Sequence, residues 1–434
     1  EITTRLVGSE MCIRDRLIGG LLTKLLGMLI KIIMSRLIGT EGLGLYMMVL
    51  PTFSLFIGIG QFGLPTALSK LVAEKRKNNI RLFFSILPIV AFVNILLIIT
   101  IITIAPILST QLLHDPRCYL PILAIAVVIP FTSLSSICRS YFFGKEKMTP
   151  HVISNLIEDI VRLTLMIIGI PYFLPKGLEY AVCYIILSNV ISELASILIL
   201  FLFLPKKLQI KKEDLKPKKD YMKESLSIGI PNTTGRLLGS IGYFLEPILL
   251  TSTLIAMGYS SKYITIEYGI LSGYVMPLLL LPSFFTMAIS QALLPIVSRE
   301  YSRGNYESVK RKIKQAITYS LLIGVPVTIF FIIIPELPLK LIYHTTEGTA
   351  YMRFLAPICL FQYIQSPLSS ALDAMGKSHD AMVATAIGVI IRSTLLVILS
   401  LLKIGLWGLI IAISINVLAV TFYSLKKVRQ HLTI

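Results

Sequence analysis

LSSICRSYFFGKEKMTPHVISNLIEDIVRLTL (Leu134–Leu165) is answered later in the chain by LSSALDAMGKSHDAMVATAIGVIIRSTL (Leu368–Leu395). Both stretches open on Leu-Ser-Ser and pass a Gly-Lys turn, Gly144-Lys145 and Gly376-Lys377. Both then reach one pattern, Val161-Arg162-Leu-Thr-Leu and Ile391-Arg392-Ser-Thr-Leu, at an offset near 232. Thr23-Lys24-Leu-Leu-Gly27 likewise recurs as Gly235-Arg236-Leu-Leu-Gly239. A third echo pairs Pro65 with Pro295, each followed by a basic, Asn-containing loop (Arg76–Asn79, Arg303–Asn305). Low complexity could give one such match; three in the same order indicate a duplicated chain.

Apolar residues make up 55% of the 434, charged residues 15%, and the mean hydropathy is +0.80. A soluble domain carries roughly 25% charged residues. Stretches such as Phe83–Ile107, Tyr180–Leu204 and Ala381–Leu402 are long enough to cross a hydrocarbon core of ~30 Å as helices. The expectation is an all-α integral membrane protein of about twelve transmembrane helices, including 17–38, 45–68, 225–256 and 266–297. Residues 17–204 form an N-lobe of spans 1–6, 205–224 a basic cytoplasmic linker, 225–426 a C-lobe of spans 7–12, and 427–434 a tail. Residues 1–16 (EITTRLVGSEMCIRDR) read as a non-native stretch in place of the true start and carry no mechanistic weight. Six spans per half is an even number, so both halves enter the membrane in the same sense, as parallel repeats.

With both termini cytoplasmic, and residues 1–16 left out, the inside segments hold 26 Lys and Arg against 5 outside. This bias accounts for the net charge of +18 through topology and anionic headgroups rather than nucleic acid. The five cysteines are scattered and imply neither disulfides nor a metal site, and no cofactor is expected. The five histidines lie in separate loops or at ends, with no clustered acids nearby, so an enzyme site is not expected.

Charges inside the spans carry the functional information, because one at mid-bilayer costs at least ~2.5–3.5 kcal/mol unless it meets a partner or a wet cavity. Lys24, Lys31 and Arg36 fall in span 1, Arg162 in span 5, Arg236 in span 7 and Arg392 in span 11. Lys24 and Lys31, seven apart, share a helix face. Lys24 and Arg236 are matched across the repeat, so an anionic, phosphate-bearing substrate is a natural partner for them. The bland reading is that each snorkels or pairs with an acid on another helix. Glu158 and Asp159 lie four and three residues before Arg162, which leaves one acid uncompensated as a candidate for Na⁺ or H⁺. Gly388 and Val389 stand at the equivalent places before Arg392. Glu193 in span 6 is a further acid, and Glu246 reads either as an ion site or as an outer-end pair. Gly229-Ile-Pro231 interrupts the start of span 7 as a hinge or as a static kink.

TKLLGMLIKIIMSRLIGTEGLGLY (Thr23–Tyr46) resembles the opening of stage V sporulation protein B-like oligosaccharide flippases. The likeness runs on through Gly63–Lys75, Ser225–Tyr243 and Tyr268–Tyr301 and covers nearly all of the chain after residue 17. That family belongs to the superfamily of multidrug, oligosaccharidyl-lipid and polysaccharide (MOP) exporters. The resemblance implies V-shaped N- and C-lobes around a central cavity. It implies export of an undecaprenyl-pyrophosphate-linked saccharide, a peptidoglycan precursor or polysaccharide unit, across the bacterial cell membrane, with cell-wall or polysaccharide synthesis enzymes as partners. It also implies that Lys24, Lys31 and Arg36 meet the pyrophosphate. Lys31 stands where the family often has Arg, and Ile33 where it often has Pro. Twelve spans are expected where many relatives have fourteen. Coupling to Na⁺, H⁺ or the membrane potential is compatible with this reading. The alternatives are a cation-coupled multidrug exporter of the same fold and a non-transporting scaffold in envelope or spore-coat assembly.

Overall fold

The computed structural model describes residues 2–74, 78–204 and 214–432, with side chains from position 20 onward except at 21, 24, 232 and 234–236. Among these residues all regular structure is helical, as lipid demands of a backbone that must satisfy its own hydrogen bonds. The chain divides into two compact units, Glu1–Phe244 and Leu245–Ile434, and the boundary falls inside one helix.

The first unit holds α1 (Ile2–Gln61), α2 (Leu64–Ala73), α3 (Asn79–Ile107), α4 (Tyr119–Gly144), α5 (Met148–Phe173), α6 (Leu178–Leu202) and most of α7 (Lys219–Ala256). Gly39, at φ 68 and ψ −177, splits α1 into two arms. These arms are the first two expected spans, but the second stops at Gln61 rather than 68. Phe62 and Gly63 both take positive φ (48 and 63), and the chain restarts as the short α2 with Pro65 in its first turn. The reason is a close crossing with α7. A Cβ on Gly63 would press into the Gly229 carbonyl oxygen and stand 2.5 Å from Thr233 Oγ1. α7 runs from Lys219 to Ala256 across Gly229-Ile-Pro231, and Gly229 serves the crossing.

That crossing gives a test. Gly63→Ala is expected to cost about 2–5 kcal/mol, the left-handed backbone penalty together with overpacking. At Gly304, with φ +74, an added Cβ would meet nothing within 4 Å, so Gly304→Ala should cost only the backbone part, about 1–2 kcal/mol. Thermal unfolding of the purified variants measures both. Equal losses would show that the α2–α7 approach is not tight.

The third sequence echo has a local cause. Asn78 caps α3, its side-chain oxygen accepting from Ile80 N and Arg81 N at 3.1 and 3.2 Å. Asn305 caps the helix that starts at Tyr306 in the same way, accepting from Ser308 N at 3.3 Å.

The second unit holds the rest of α7, then α8 (Ser261–Gly269), a wide π-turn over Ile270–Val275, α9 (Met276–Leu279), α10 (Ser283–Ser302), α11 (Tyr306–Ile333), α12 (Glu336–Tyr343), α13 (Thr349–Ala374), α14 (Ser378–Ser400) and α15 (Trp407–Leu432). The expected straight span 266–297 is instead bent by 53° between α9 and α10. At the break the buried Tyr363 hydroxyl donates to the Leu279 carbonyl at 2.5 Å, which satisfies an acceptor that the broken helix leaves free.

Among the described residues eight helices are long and apolar enough to cross a membrane, nine if the bent pair is one span. The two arms of α1 count once there. α5 fails on its three mid-helix charges, and α13 carries Gln362 and Gln365. Counting those arms separately and adding α5 and α13 restores the expected twelve.

Candidate functional site

Positions 158, 159 and 162 share one strip of α5 with 155, at helical spacings of three, four and seven from it. That strip faces Ser135 and Arg139 on α4 and Glu193 on α6. Arg139 donates through Nη1 to Asn155 Oδ1 at 2.5 Å and pairs with Glu158 Oε2 at 2.8 Å. Its Nη2 donates to Ser135 Oγ at 2.5 Å and also bonds Glu193 Oε2. The other oxygen of Glu158 accepts from Arg162 Nη2, and Arg162 Nη1 pairs with Asp159 Oδ1 at 3.3 Å. Glu158, Asp159 and Glu193 are 7%, 7% and 6% exposed. The result is one connected network of two guanidiniums and three carboxylates, with a surplus of negative charge. Such a cluster adds little net stability over an apolar core, yet losing one partner is expensive.

The matched position in the second unit is built differently. Arg392 on α14 has no acid beside it in sequence, but Glu246 on α7 reaches it through Oε2. Tyr268 donates its hydroxyl to Glu246 Oε1 at 3.2 Å. Glu246 is 4% exposed, so the ion pair is buried. Gly388, where the repeat would place Glu158, lies against α15: a Cβ there would be 2.6 Å from Asn416 Oδ1. The first unit spends this helix face on charge and the second on close packing.

Lys24 and Arg236 lie outside the described residues as far as their side chains are concerned, although their helices are described. Lys31 is half-buried and Arg36 exposed, both on the first arm of α1, and each has an interaction partner. A cavity runs along the second arm of α1, α2 and α7 of the first unit. Ser54, Gln61, Thr66, Thr233 and Ser240 give it neutral polar groups. Gln61 donates to Ser136 Oγ at 2.8 Å and so keeps its carbonyl oxygen for other donors. Among the described residues no group of three His, Cys, Asp or Glu could hold a metal ion.

Two participants escaped the sequence reading. Arg139 counts there among the cytoplasmic cations. The available signal was arithmetic: Glu158, Asp159 and Glu193 within the spans ask for more than Arg162. Tyr268 carried no signal at all.

A multi-span, all-helical chain with paired charges buried inside its helices and a polar cavity is the architecture of a membrane transporter. The profile of the polysaccharide biosynthesis protein family matches residues 16–301, and that of the MatE family matches 248–398. Stage V sporulation protein B of Bacillus subtilis is 34% identical over 430 residues, 96% of this chain and 82% of that protein. The lipid II flippase MurJ of the same species is 21% identical over 447 residues, 95% of this chain and 81% of that protein. A solved multidrug resistance MATE family transporter of the MOP superfamily, in an inward-facing conformation, has the same fold, with TM-score 0.75 at 16% identity over 95% of this chain and 94% of that one. The chain belongs to the polysaccharide biosynthesis protein family.

Proposed function

We propose that the chain is a flippase that moves an undecaprenyl-pyrophosphate-linked saccharide from the inner to the outer leaflet of a bacterial cell membrane by alternating access, with both termini cytoplasmic. The observation that carries this reading is the cavity along α1, α2 and α7. Its α7 wall is Thr233, Leu237 and Ser240, and the register 233, 236, 237, 240 puts position 236 on the same strip. In this reading Arg236 there meets the pyrophosphate, joined by Lys24, Lys31 and Arg36 from the first arm of α1, which lies outside the described lining. The hydroxyl and amide groups suit a saccharide. Relatives that include a lipid II flippase support the same reading.

The multidrug reading draws on the MatE match. A cationic drug calls for an acid in the cavity; the described lining is neutral, with neither acid nor cation, and the register that puts position 236 on its α7 wall is what favours an anionic substrate. Arg162 and Arg392 are assigned to their ion pairs rather than to substrate. The surplus carboxylate among Glu158, Asp159 and Glu193 is the place where Na⁺ or H⁺ would couple transport to a gradient; Glu246, paired with Arg392, is not.

Binding tests the reading. Undecaprenyl pyrophosphate at a hundred times its dissociation constant should stabilise the purified protein by about 2.7 kcal/mol. Undecaprenol, which lacks the phosphates, should give a much smaller rise in melting temperature. Equal shifts from the two lipids would leave the cations without a role.

A further inference from the structure

Phe83 and Phe84 of α3, Tyr141 and Phe142 of α4, and Leu200 and Phe201 of α6 line an apolar groove. It lies at the start of α3 and the ends of α4 and α6, which alternate in direction and so bring these turns to one end of the unit. The wall is firm. Phe83 meets the Tyr141 ring edge-on at 6.0 Å, and Tyr141 and Phe142 pack into the buried core behind. Phe201 is 58% exposed, so the groove is open to lipid.

Its mouth is cationic. Lys145 Nζ stands 4.4 Å over the Tyr141 ring. Arg81, next to Ile80 in the lining, donates through Nε to the Lys216 carbonyl at 3.3 Å, and Lys218 N donates to Ser85 Oγ at 2.9 Å. The segment bearing Lys216 and Lys218 is thus laid along the first turns of α3. Of the acids nearby, Asp214 accepts from Asn78 and Asp220 pairs with Lys218 at 3.2 Å. Glu146, beside Lys145, is exposed. Arg81, Lys145, Lys147 and Lys216 leave the mouth net positive.

We propose that this groove holds one acyl chain of an anionic phospholipid from the surrounding leaflet, its phosphate at Lys145 and Arg81. The aromatic wall takes the chain, and it offers nothing to a headgroup. The ammonium over Tyr141 keeps N–H donors for a phosphate oxygen, and the guanidinium is the better phosphate fork. Charge complementarity selects the anionic lipid over a zwitterionic one, which would fill the same wall without preference. The site is independent of the transported substrate.

Tryptophan quenching by bromine-labelled lipid chains tests it. The chain has one Trp, Trp407, so the signal of Phe201→Trp is read as a difference from the parent. In mixed vesicles, brominated phosphatidylglycerol should reach half-quenching at a mole fraction at least about fivefold lower than brominated phosphatidylcholine, the preference that one of the two cations gives alone. Ile168→Trp, on an outward position of α5 that is 70% exposed, should be quenched equally by both. Lys145→Gln combined with Arg81→Gln should abolish the preference while quenching by brominated phosphatidylcholine stays unchanged, which shows the groove intact. Equal quenching of Phe201→Trp by the two lipids would overturn the proposal, as would a preference that survives both substitutions.

Discussion

Arg139→Gln is expected to destabilise the protein by about 3–5 kcal/mol, because it leaves buried carboxylates without their counter-charge. Glu193 then loses its guanidinium partner, and Glu158 keeps only Arg162, which Asp159 already shares. The double variant Arg139→Leu with Glu193→Leu removes a cation and an anion together. It should recover most of the loss, since apolar replacement of a buried pair is often neutral or stabilising. Thermal unfolding in one detergent decides the matter. A double variant as unstable as Arg139→Gln would mean that Ser135 and Asn155, rather than the charges, depend on Arg139.

Lys24→Ala and Arg236→Ala should each lower transport by about ten- to a hundredfold, the worth of one charge-assisted hydrogen bond to the substrate. Protein level and membrane insertion should stay normal, as expected of cations that serve the substrate rather than the packing. Complementation of a strain lacking the transporter, with immunoblots of the membrane fraction, measures both. Full activity in both variants would remove the cationic cavity from the account. Lys24→Arg should keep activity, since the charge remains and the fork suits phosphate.

The helical architecture was legible because lipid leaves the backbone no alternative, and apolar runs of span length announce themselves. The break at Phe62-Gly63 was not. Gly63 reads as one more small residue until Gly229 of α7 is seen against it. The bend between α9 and α10 hides for a similar reason, as Tyr363 supports it from eighty-four positions away. Charges paired along one helix, such as Glu158 with Arg162, follow from spacing alone. Pairs made between helices do not, and Arg139–Glu193 and Arg392–Glu246 needed the fold. Arg139 was doubly hidden, since its place near the end of α4 makes it look like part of the cytoplasmic positive set.

The central claim is that this chain carries a pyrophosphate-linked saccharide across the bilayer. Reconstitution into vesicles with a fluorescent undecaprenyl-pyrophosphate saccharide, and addition of a reductant that bleaches only the outer leaflet, tests it most directly. The expected result is that the label in both leaflets becomes bleachable at a rate set by the protein, and that Arg236→Ala slows this by about ten- to a hundredfold. Bleaching that stops at the outer leaflet with the unchanged protein present, with or without a membrane potential, would contradict it.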